Sequence, residues 1–144
     1  MKKESDQGYA AKHDASVAVD ADLSRALESA IKNGGLRCQT AHAIARRQNK
    51  SPLEAGTAAD LLNVRIVRCQ LGLFGYLPRK RIVKPAETVD PALAAEIRAA
   101  LENGRLPCKT AWAIADRRQL PRLAVAETCE ALKIKMCDCQ LGAF

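Results

Sequence analysis

Apolar residues recur at helical spacing near residue 20 and again seventy residues later. Leu23, Leu27, Ala30 and Ile31 mark one stripe; Leu93, Ile97, Ala100 and Leu101 mark the other. Asp20 and Asp90 stand ahead of the stripes as helix caps, the second followed by Pro91 at the favoured first position. Asn33-Gly34 and Asn103-Gly104 end both helices, because glycine accepts the left-handed terminal conformation. Second helices are predicted over about residues 38–48 and 108–118. Ser51-Pro52-Leu53-Glu54 has the form of a capping box with proline just inside. It predicts a third helix to about Leu62, matched by one to about Leu132. Val64-Arg65-Ile66-Val67 and Ile134-Lys135-Met136-Cys137 alternate and read as short strands, with Gly72 and Gly142 as the turns that follow.

The two patterns are one pattern written twice. A shift of 70 residues lays 20–74 on 90–144 without a gap, and 20 of the 55 positions are identical. Leu36 to Ala45 overlies Leu106 to Ala115, Cys69-Gln70-Leu71-Gly72 overlies Cys139-Gln140-Leu141-Gly142, and Phe74 overlies Phe144. A match of that length marks an internal duplication, with too few copies and too long a period for a solenoid. The expected organisation is a polar, disordered tail over 1–19, a unit over 20–74, a linker over 75–89 and a second unit over 90–144. The linker, with two prolines and four basic residues, reads as exposed.

The segments AIARRQNKSPLEAGTAADLL and AIADRRQLPRLAVAETCEAL resemble the helix-turn-helix pattern of the winged-helix superfamily. Ala45 and Ala115 match its small residue inside the first helix, where a close crossing needs one. Ala55, Ala58 and Val125 match its apolar positions after the turn. Asn49 or Gln119 stands where the pattern has its turn glycine, and Thr128 where it has an apolar residue. The resemblance implies a mainly α fold of two tandem three-helix, winged-helix-like units with short β wings. It also implies that each third helix addresses a DNA major groove. The wider pattern LPC…IA…CQLG…F is similar to one in small uncharacterised prokaryotic proteins, and no activity attaches to it.

Composition changes this picture in three ways. Apolar residues make up 48% but aromatics only 3%, so the core is built from Ala, Leu, Ile and Val, which favours helix. No apolar run approaches a membrane span and the N-terminus has no secretory h-region, so a soluble, cytoplasmic protein is expected. The net charge of +7 suits a polyanion such as double-stranded DNA.

The cations are not where base reading needs them. The third helices offer Glu54, Thr57 and Asp60, then Arg122, Glu127 and Glu130, as outward groups. Carboxylates there argue against ordinary base readout. Phosphate contacts are expected instead from Arg46 and Arg47, from Arg117 and Arg118, from Arg65 and Arg68, from Arg79, Lys80 and Arg81, and from Arg122. A linker with three consecutive cations beside a proline also has the make-up of a minor-groove arm. A protein-interaction module is the second reading, with acidic third helices and Leu73, Phe74 and Tyr76 as its surface.

Cys38, Cys69, Cys108 and Cys139 repeat in register. They read either as small hydrophobes in the core or, as four thiolates, as a zinc or iron–sulfur site. A reversible Cys38–Cys69 disulfide is a third option, disfavoured in a reducing compartment. No catalytic constellation stands out. His42 is replaced by Trp112 in the second copy, and no glycine-rich phosphate loop is present, so no enzyme and no resident cofactor are expected.

Overall fold

Side-chain oxygens cap three of the six described helices. The computed structural model describes Ala10, His13 and residues 18–144, and the expected disorder of the remaining tail lies outside the described residues. The chain divides into two units. One runs to Arg68 and includes Leu141–Ala143; the other runs from Cys69 to Gln140 and includes Phe144.

In the first unit, Asp20 caps α1 (Ala21–Ser29) by accepting from the amides of Asp22 and Leu23. Asn33 and Gly34 turn the chain at φ 52° and 76°. Strand β1 (Gly35–Arg37) then passes directly into α2 (Cys38–Arg47). Asn49 takes the left-handed turn position at φ 57°, so the absent glycine is replaced by the residue type that best tolerates it. Ser51 and Glu54 close a capping box on α3 (Pro52–Leu61), each side chain bonded to the other's amide. Strand β2 (Arg65–Val67) follows.

The second unit repeats this order. It has α4 (Pro91–Ala99) capped by Asp90, β3 (Leu106–Pro107), α5 (Cys108–Arg118), α6 (Arg122–Ala131) and β4 (Met136–Cys137). Gln119 adopts the left-handed turn at φ 57°. Thr128, where the pattern wants an apolar residue, is buried, and its hydroxyl donates to the carbonyl of Ala124 one turn back. The described fold is thus mainly helical, with six α-helices and four short strands among the described residues.

The strands differ from the wings expected. β2 runs parallel to β1, with Leu36 opposite Ile66, and β4 parallel to β3, with Leu106 opposite Met136. A parallel pair needs a crossover between its strands, here the two helices, so neither pair is a projecting hairpin. The expected boundaries shift too. Residues 75–89 are not a free linker: Val83 is buried in the second unit, and the amides of Ile82 and Val83 both donate to the Gly72 carbonyl. Cys69 and Leu71 join the same core, with Leu93, Ile97, Leu106, Ile114 and Val125. Leu141 is fully buried in the first unit.

Gly56 shows how tightly that last segment is held. A Cβ on Gly56 would stand 1.7 Å from the Leu141 carbonyl oxygen, so α3 and this backbone touch where only hydrogen fits. Gly56→Ala is therefore expected to destabilise the full chain by about 1–3 kcal/mol, as overpacking does. In a chain lacking 141–144 the same change is expected to be neutral or stabilising, by up to about 1 kcal/mol of helix propensity. Denaturant melts of the four proteins measure this; an equal cost in both backgrounds would refute the contact.

Candidate nucleic-acid interface

The end of each second helix carries paired basic residues, as cations suit that pole of the helix dipole. Their surroundings differ sharply between the units. In the second unit, Glu96 on α4 accepts from both Arg117 and Arg118 of α5. These two guanidinium groups hold the Glu96 carboxyl below its ordinary range. In the first unit, Arg46 and Arg47 are exposed and make no ion pair among the described residues. The 70-residue shift places Ala26 where the second unit has Glu96, so the clamping carboxylate is missing there.

The remaining basic candidates fall into two groups. Arg65 is exposed at the start of β2 and Arg68 is exposed after it. Arg79 and Lys80 are exposed in the second unit. Arg81 instead bonds Glu130 at 2.6 Å. Arg122 is held as well: its guanidinium carbon lies 3.6 Å from the centroid of the Trp112 ring, and it reaches Gln70 at 3.4 Å and Asp116 at 3.6 Å. Cation–π stacking and two polar partners give that cation a structural post.

The third helices do not present the faces expected of them. Glu54 is exposed and Thr57 half-buried, but Asp60 is 7% exposed and does not point outward. Its carboxylate sits 2.8 Å from Nε2 of His13, and the amide of Ala10 donates to the side-chain oxygen of Asn63. His13, assigned from sequence to a structureless tail, thus meets α3. Asp60 lies one helical turn after Gly56, on the buried side, and that periodicity was the available sign. On α6, Glu127 and Glu130 are half-buried. Leu53, 57% exposed, is the apolar residue α3 offers to solvent.

The cysteines are all thiols. Cys38 heads α2 in the first unit, while Cys69, Cys108 and Cys139 belong to the second. Cys38 and Cys69, offered by the sequence as a reversible disulfide, are both free thiols. Among the described residues, no group of three or more His, Cys, Asp or Glu side chains is arranged to hold a metal ion. Desolvation raises the Cys69 and Cys108 thiols, Cys139 adding to it in both and Cys69 also in Cys108; backbone and Gln140 hydrogen bonds oppose this. Burial pushes Cys129 up to about 11. Cys129 occupies the place of Ala59, so it serves as a small core side chain. Phe74 and Phe144 meet edge to face at 6.1 Å, which gives Phe74 a packing partner.

No protein-family model, curated protein or solved structure matches the chain.

Because burial shields a thiol and a raised pKa keeps it protonated, Cys69, Cys108 and Cys129 should resist alkylation at about pH 8, while half-exposed Cys139 is open to reagent. Cys129 should react only as the pH nears its pKa of about 11. Peptide mapping after a short alkylation pulse checks this; labelling of Cys108 or Cys129 ahead of Cys139 at the lower pH would contradict it.

Proposed function

We propose that this protein is a DNA-associated regulator of two helix-turn-helix-like units that binds duplex mainly through phosphates. The observation that carries the reading is the unequal pairing of the arginines that end the second helices, of which Arg47 and Arg117 are equivalent while Arg46 overlies Asp116 and Gln48 overlies Arg118. Arg46 and Arg47, with Arg65, stand in solvent without a carboxylate, whereas Glu96 pairs with both Arg117 and Arg118. Unpaired surface cations repel one another and gain most when they displace condensed counterions from a polyanion. The first unit is thus the main phosphate-binding element, with Arg68 beside it, and the second unit adds Arg79 and Lys80. Acidic and buried groups on the third helices fit backbone positioning better than base reading. Leu53, exposed at the start of α3, favours a second reading as a protein-interaction module.

Removing charge from the two units separates these readings. Arg46→Ala/Arg47→Ala/Arg65→Ala is expected to weaken binding to a random duplex at least about tenfold at low salt. Arg117→Ala/Arg118→Ala should weaken it less, since Glu96 already offsets one of those two charges. Glu96→Gln should strengthen binding by releasing both. Electrophoretic mobility titrations read all three, and equal losses from the two arginine sets would sink the proposal.

A further inference from the structure

Residues 76–82 of the second unit form a loop whose base is fastened and whose tip is bare. At the base, the Tyr76 hydroxyl donates to the Cys69 carbonyl at 2.6 Å, and the Tyr76 amide to the Lys80 carbonyl at 3.4 Å. The Gly72 carbonyl receives the amides of Ile82 and Val83 at 2.9 and 3.1 Å, and Val83 is buried in the core. Arg81 is tied to Glu130. The tip is Leu77-Pro78-Arg79-Lys80, exposed throughout. Leu77 is 92% exposed, against 57% for Leu53, the next most exposed large apolar side chain described. Arg79 and Lys80 make no ion pair among the described residues.

We infer that this loop inserts into the minor groove of duplex DNA, with Leu77 as an apolar wedge against a base step and Arg79 and Lys80 on the flanking phosphates. This rests on the DNA-binding reading and names a second contact within it. A mobile chain would collapse such a leucine onto the surface; here hydrogen bonds on both sides hold it out. One leucine with its neighbouring proline is the right size to part a single base step, and cations beside such a wedge are what a narrow, electronegative groove attracts. A lipid surface is a poorer fit, because the tip offers one leucine and no amphipathic stripe to bury.

The full-length protein tests this with a duplex carrying 2-aminopurine at a central TA step, with and without netropsin, a minor-groove ligand. The wild type should raise the fluorescence by unstacking the step, and netropsin should lower its affinity. Leu77→Ser should abolish the fluorescence rise and cost about tenfold in affinity, roughly the burial of one leucine. Arg79→Ala/Lys80→Ala should lower the salt slope by about 2. Salt-dependent binding with no fluorescence rise and no effect of netropsin overturns the inference and leaves the DNA reading standing. No binding to any duplex overturns both. Leu77-dependent pelleting with phosphatidylserine vesicles, alongside indifference to netropsin, also overturns it. Leu77 lies far from any core, so the variant's melting temperature should match the wild type and a null result cannot be assigned to unfolding.

Discussion

Close approach of backbones through small side chains is the constraint on which both units depend. With two Phe, two Tyr and one Trp in the chain, aromatic bulk is scarce. The α2–α3 pair is lined instead by buried Ala41, Ala45, Ala55, Ala58 and Ala59, and α5–α6 by Ala111, Ala115, Ala126 and Cys129. Small residues bury little area each, so stability has to come from many short contacts. That is why Gly56 admits the Leu141 backbone directly, and why a cysteine serves where the other unit has an alanine. Burial of Cys38, Cys69, Cys108 and Cys129 works against thiolate chemistry at those positions.

The same helices carry the electrostatic contrast. Both second helices end in two arginines, but only Arg47 and Arg117 are in register; Ala26 against Glu96, Arg46 against Asp116 and Gln48 against Arg118 together set how the pairs are held. In the second unit the cations serve the structure: Arg117 and Arg118 join α5 to α4, Arg122 stacks on Trp112, and Arg81 fastens a loop to Glu130. In the first unit Arg46 and Arg47 face water.

Much of this was legible in the residues. Aspartate and serine caps, the Asn-Gly stops and the left-handed Asn49 and Gln119 positions are local effects, and each element lies within a few residues of where its signals put it. What was not legible depends on partners distant in sequence. Two-residue strands do not encode whether they pair parallel or antiparallel. Leu71 and Leu141 sit in identical Cys-Gln-Leu-Gly segments, so nothing in either one says which unit it completes. The Glu96 clamp spans about twenty residues, and the Asp60–His13 contact joins a helix to a segment with no pattern of its own. Exposure of the basic loop was readable; the hydrogen bonds that hold it rigid were not.

The proposed function rests on the first unit's uncompensated arginines meeting duplex phosphates. Its most direct test is the dependence of wild-type affinity on salt, measured on a random-sequence duplex. Three phosphate contacts from Arg46, Arg47 and Arg65 predict that log K falls against log salt with a slope of about −3 or steeper. A slope near zero, or no binding at about 50 mM salt, would contradict the claim.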